Sequence, residues 1–161
     1  MFNSSIMGEQ FRRILDGANS AFRTADHLAY VSYPLLKDKR LLLAITQNLY
    51  LAGVKCMDAL LYYERLYKRL NILPADFDSR FHLFSREVAP RMKLKPGAVK
   101  VIKDLHMLSK QHKDSPIEFF RRDKIVMCSE DYSSVKTIDI ELLKNYIVDM
   151  RNFLEVVNKL K

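Results

Sequence analysis

Glycine is scarce in this chain, four in 161 residues, and no G-x-x-x-x-G-K-[ST], G-x-G-x-x-G or G-x-S-x-G motif occurs. A phosphate-cradling glycine loop and a nucleophile elbow are therefore not expected. Cysteine is scarcer still. Cys56 and Cys128 lie far apart, with no C-x-x-C spacing and no histidine nearby, which reads as two reduced thiols rather than a disulfide framework. A di-iron bundle needs E-x-x-H motifs on facing helices, and none is present. His27 follows Asp26, and Asp104 and His106 are two apart. Neither spacing puts both ligands on one helical face, so no metal and no cofactor is expected. Long apolar runs are missing too: no eighteen apolar residues run together, and the opening MFNSSIMGEQFRRIL holds no stretch of signal-peptide length. The expectation is a soluble, cytoplasmic protein that does not enter a membrane. A length of 161 residues suits one domain, 1–161, able to bury a core without covalent staples.

What the chain has is helical periodicity. From Asp38 to Leu70 apolar residues recur at alternating steps of three and four: Leu42, Ile45, Leu49, Ala52, Cys56, Ala59, Tyr63, Leu66, Leu70. A second line, Leu43, Tyr50, Val54, Met57 and Leu61, leaves a narrow polar stripe containing Asn48, Lys55 and Asp58. A helix so apolar around its circumference must be covered on most sides. At 1.5 Å per residue it would be roughly 50 Å long, with the rest of the chain packed on it. Asn48, Lys55 and Asp58 share a face; a Lys55–Asp58 pair would satisfy them, or they would form a polar pocket.

The other elements follow from capping and breaking signals. A first helix is expected from Ser5 to Ser32, ended by Tyr33-Pro34, since the residue before proline is pushed out of the helical region. It would form an antiparallel hairpin with the long helix. Asp78 or Ser79 would cap a short helix, Arg80 to Ala89, stopped by Pro90. Pro96 opens a fourth helix to about His112, whose ring would be buried or serve as the terminal cation, and Ser115-Pro116 closes the segment. Lys124–Cys128 and Val135–Ile138 read as a β-hairpin, and Asp139 caps a last helix. The expected fold is mainly α: an antiparallel bundle of about five helices around a long central one, with a small β-hairpin before the last.

Charge supplies the functional signal. Lys and Arg number 27 against 19 Asp and Glu, a net +8, which favours acidic partners such as RNA. Alternating helix directions would bring Lys37, Lys39 and Arg40 near Arg91, Lys93 and Lys95 at one end of the bundle. Arg65, Lys68 and Arg69 would meet Arg121, Arg122 and Lys124 at the other. The leading expectation is a non-catalytic bundle that binds RNA, another polyanion or a partner protein through these basic poles, and forms a homodimer through its long helices. Tyr62, Tyr63 and Tyr67 alternatively mark a protein–protein interface.

Arg151-Asn152-Phe153-Leu154-Glu155-Val156 resembles the R-N-x-x-x-H signature of the HEPN superfamily. Its members are small helical bundles with a long central hairpin, many of them RNases or partners of minimal nucleotidyltransferases. The resemblance implies an arginine and a histidine that meet across a dimer axis and act on a phosphodiester without metal. Val156 stands in place of that histidine, so any cleavage would pair Arg151 and Asn152 with another acid or base, such as Glu155 or a neighbouring tyrosine. The chain is also similar to short archaeal helical proteins, with Phe119–Cys128 its most individual segment.

Overall fold

The computed structural model describes residues 2–115 and 117–161. Five helical rods and a three-stranded antiparallel sheet follow one another, with the sheet before the last rod. The central rod is α3 (Arg40–Leu66), whose buried positions include Leu42, Ile45, Leu49, Ala52, Cys56, Ala59 and Leu60, the seam that the sequence periodicity marks. It starts as Asp38 Oδ1 accepts from the Arg40 N–H at 2.9 Å. It ends four residues earlier than Leu70, although Leu70 itself is buried.

The first rod does not stop at Tyr33-Pro34. Helix α1 (Phe2–His27) runs into a π turn (Leu28–Ser32) and a short α2 (Tyr33–Leu36). The third rod repeats the device: α4 (Phe77–Leu83), a π turn (Phe84–Val88), then α5 (Ala89–Arg91). Each π turn ends two residues before a proline, Pro34 or Pro90. A proline ring clashes with the carbonyl four residues back and donates no hydrogen bond; a wider turn opens the spiral there and lets the helix continue. Asp76, rather than Asp78 or Ser79, caps α4, accepting from the Ser79 N–H at 2.9 Å.

Helix α6 (Pro96–Asp114) and helix α7 (Ile140–Asn158) complete the bundle. Asp139 caps α7 by accepting from the Leu142 N–H at 2.8 Å. Helices α1, α6 and α7 all lie against α3, α1 most extensively. Phe11 meets Tyr63 and Gly17 meets Lys55, so α1 and α3 are antiparallel as expected. Gly53 makes the crowded point of the bundle: a Cβ there would sit 3.4 Å from Ile102 of α6 and 3.6 Å from Met150 of α7.

The sheet has one strand more than the hairpin read from the sequence. Strands β2 (Lys124–Cys128) and β3 (Val135–Ile138) pair as expected, and β1 (Ile117–Arg121) adds to β2 through the two-residue turn Arg122-Asp123. Ile125, Met127 and Ile138 are buried, closing the sheet onto the helices. Pro116, read as a helix stop, lies outside the described residues.

Candidate functional site

The basic residues gather at two poles, but in exchanged partnerships. Arg91 and Arg69 both donate to the carboxylate of Glu64, Arg69 at 2.9 Å, so Arg91 sits at the C-terminal end of α3. Lys93 and Lys95 follow it there, beside Arg65, Lys68 and Arg69. At the other end Lys37, Lys39 and Arg122 line one cleft, next to Arg40, Arg121 and Lys124. The alternation rule fails at residues 67–76. That segment is irregular, opens with the turn at Tyr67 and Lys68, and itself returns along α3, so Phe77 starts the third rod beside Tyr50, with ring centroids 6.4 Å apart. Arg80 then pairs with Asp58 at 2.8 Å, and Arg91 reaches Glu64. The third rod thus runs in the same sense as α3, and every later element changes ends.

The Lys37–Lys39–Arg122 cleft, lined by Tyr33, Pro34, Lys37, Lys39, Arg122, Asp123 and Ile140, has a volume of ≈ 380 Å³. Three cations face one carboxylate over a floor of Tyr33, Pro34 and Ile140. Burial, then the carboxylates of Asp123 and Asp139, pushes the Tyr33 phenol up, so at neutral pH it remains an O–H donor. Arg40 is spent on Asp38, Nη2 to Oδ2 2.7 Å, and that contact holds the Asp38 carboxyl below its usual range. Lys124 approaches Asp139 at 3.8 Å. Among the described residues Lys37, Lys39, Arg121 and Arg122 form no ion pair.

Backbone conformation singles out the same side chains. Among the described residues five other than glycine have positive φ, and four are cations of the two poles: Lys37 (49°), Lys68 (58°), Lys93 (53°) and Arg122 (57°). Lys68 and Lys93 close their helices with Schellman motifs, Arg69 N–H to Glu64 O with Lys68 N–H to Arg65 O, and Leu94 N–H to Ala89 O with Lys93 N–H to Pro90 O, in the position glycine usually takes. Lys37 closes α2 through its N–H to Tyr33 O, 2.8 Å. Arg122 is the first residue of a two-residue hairpin loop, where Asn or Gly is the common choice.

A second cleft, of ≈ 350 Å³, lies between the start of α6 and the last helix. Lys93, Lys95, Lys159, Asp149, Asn152 and Glu155 supply its polar lining, and Phe153 and Val156 part of its apolar wall. Gly97 belongs here: a Cβ would come 2.7 Å from Asp149 Oδ1, so glycine lets that carboxylate close on the positive end of α6, whose N-cap Lys95 makes no side-chain bond. Arg151 is not in this cleft. It pairs with Asp26 at 2.9 Å and lies over the Phe22 ring at 5.7 Å, so it and Asn152 serve different surfaces of α7.

The stripe residues on α3 turn to different partners. Asn48 donates to its own Ala44 carbonyl at 2.8 Å, Lys55 lies along Gly17 of α1, and Asp58 pairs with Arg80 of α4. A three-residue step leaves neighbours about 60° apart around a helix, enough for α1 and α4 to claim one each. No Lys55–Asp58 ion pair forms among the described residues. Burial pushes the Asp58 carboxyl up, opposed by Arg80 and Lys55. Tyr63 packs between Phe11 and Tyr67, at 5.6 and 4.7 Å, leaving Tyr67 exposed. His112 joins α6 to β1 through Glu118, Nδ1 to Oε2 2.6 Å.

Glu64 is the residue that pattern reading passed over. Its signal was present, a carboxylate directly after the run Ala59–Tyr63 on the buried helix, which can be buried only beside cations. Both cysteines are buried and unpaired. Among the described residues no three His, Cys, Asp or Glu side chains cluster to hold a metal ion, and no helix is long and apolar enough to cross a membrane. No family model, curated protein or solved structure matches the chain.

Proposed function

We propose that this bundle is a non-catalytic binder of RNA or a similar polyanion, holding phosphates at the Lys37–Lys39–Arg122 cleft. One observation carries the reading: two of the three cations lining that cleft occupy left-handed backbone positions where glycine would be less strained. The left-handed conformation costs a side-chain-bearing residue about 1–2 kcal/mol, partly offset by the roughly 0.5–1 kcal/mol entropy cost of glycine. Helix-end electrostatics favours a cation at Lys37, but Arg122 lies in a hairpin turn with no helix end of its own. A charge retained there against backbone preference is explained by a ligand that needs it.

The test is fluorescence anisotropy with a labelled single-stranded RNA, titrated from low to physiological salt. Log affinity is expected to fall linearly with log salt, with a slope of about −0.7 per phosphate neutralised. Arg122→Gly and Lys37→Gly should each weaken binding and flatten that slope while raising the melting temperature. Affinity independent of salt, or glycine variants that bind as tightly as the parent, would refute the reading. The ribonuclease alternative draws support from Asn152 and Glu155 sharing the second cleft with Lys93 and Lys95, but Arg151 is engaged by Asp26. Metal-free RNA cleavage lost in Arg151→Ala would favour it over simple binding.

A further inference from the structure

Strand β1 is an edge of the sheet: among the described residues the strand order is β1-β2-β3, and four of its five residues are exposed. The opposite edge is different, because Lys136 and Thr137 of β3 face Asp104, Leu108 and Tyr146 across a small groove against α6 and α7. Phe119 is 43% exposed and Phe120 48%, an unusual load for an edge strand. Phe120 lies in register with Ile125 and Ile138, on the face turned toward the helices, yet stays half-exposed. Phe119 stands on the outer face, in register with Val126 and Thr137.

Register also fixes which backbone groups are free. The pair closing a two-residue hairpin loop exchanges both hydrogen bonds, and bonded pairs then alternate along the ladder. Arg121↔Lys124, Phe119↔Val126 and Ile117↔Cys128 are therefore the bonded pairs, leaving the N–H and C=O of Glu118 and Phe120 turned to the open edge.

We infer that β1 pairs antiparallel with β1 of a second copy of this chain, continuing the two sheets into one of six strands. A two-fold axis between antiparallel strands stands perpendicular to the sheet, so each residue must oppose one separated from it by an even number. The register with full overlap places Phe119 on its own symmetry mate, Glu118 opposite Phe120, and Ile117 opposite Arg121. In it the outward groups of Glu118 and Phe120 bond to one another in both directions, forming four backbone hydrogen bonds. Slipping two residues one way sets Glu118 against itself; slipping the other way drops Ile117 from the ladder. Charge agrees with this occupant. The strand carries one carboxylate, Glu118, and one guanidinium, Arg121, so two copies of it do not repel, and antiparallel pairing sets the two Arg121–Arg122 ends at opposite extremities of the paired strands, each toward the end of α6, with Lys113 and Asp114, of the other copy. A five-residue edge is a small interface, so association is expected to be weak and concentration-dependent. If the polyanion reading also holds, the two Arg122 turns would stand about 20 Å apart along the paired strands, so one RNA strand could reach both.

Sedimentation velocity over a concentration series, with engineered cross-linking, tests the pairing without any nucleic acid. The parent should shift reversibly from monomer to dimer. Phe120→Pro removes an N–H that β2 does not use, so it should abolish the shift while circular dichroism and melting stay near those of the parent. Phe119→Cys should form an intermolecular disulfide under mild oxidation, faster than Phe120→Cys or a Thr137→Cys control on the outer face, because only residue 119 meets itself. A parent that stays monomeric throughout, a dimer untouched by Phe120→Pro, or cross-linking at residue 119 no faster than at residue 137, would overturn the inference.

Discussion

At Glu64 the chain buries a carboxylate with 0% of its side chain exposed, held by Arg69 and Arg91, whose side chains remain 44% and 39% exposed. The asymmetry fixes what substitution should do. Glu64→Gln leaves two arginines that can rehydrate, so its cost should be modest, about 1–2 kcal/mol. Arg69→Met with Arg91→Met strands the carboxylate without a partner and should cost roughly 3–5 kcal/mol. Adding Glu64→Leu to that pair should recover most of the loss, because a buried ion pair is often no better than apolar packing of similar volume. Denaturant unfolding of the three variants checks the order. Glu64 also ties the sequence-distant Arg91 to the end of the central rod, and this contact reveals the exchange of poles.

Among the elements, the third rod is held by stacking rather than by aliphatic packing alone. Phe77 lies over His106 of α6 with ring centroids 3.7 Å apart and planes within 11°, and Phe81 stacks on Phe77 in turn. The Tyr50 hydroxyl and His106 Nδ1 are 2.8 Å apart, fixing the ring from the α3 side. Burial lowers the His106 pKa; Asp78 opposes this and Lys110 and Lys113 add to it. A histidine depressed below its free value of 6.5 binds fewer protons folded than unfolded. Its contribution is complete above 6.5 and is lost as pH falls through the folded value. The melting temperature should therefore drop below pH 6.5, and His106→Gln should remove that part of the pH dependence while lowering the plateau. The caps of α7 and the core positions of α3 were legible because each depends on residues a few places apart. The π turns were not: proline reads locally as a stop, and only the packing of α1 on α3 holds the helix together across the widened turn.

For the whole molecule, the separation of charge between the poles sets relative affinities. The Tyr33 cleft brings three cations and one carboxylate together, whereas the second cleft sets Lys93, Lys95 and Lys159 against Asp149 and Glu155. Charge reversal at Lys37 and Arg122 should therefore weaken RNA binding more than reversal at Lys68 and Lys93. Equal losses would make binding a matter of net charge alone, which anisotropy on the two double variants decides. The central helix is largely covered: α3 is enclosed by α1, α6 and α7, with only Arg40, Gln47, Leu51 and Arg65 of it exposed.

By itself the sequence determined that a long buried helix would organise a mainly helical bundle, where most helices begin, and which residues carry the positive charge. These follow from periodicity and capping, interactions within one or two turns of chain. Tertiary structure alone decided which cations share a pole, that Glu64 joins two of them, and that Arg151 and Asn152 part company. The first two outcomes depend on the path of residues 67–76, an irregular segment whose direction is set by the packing of Phe77 and Arg80 on α3 rather than by any pattern within it.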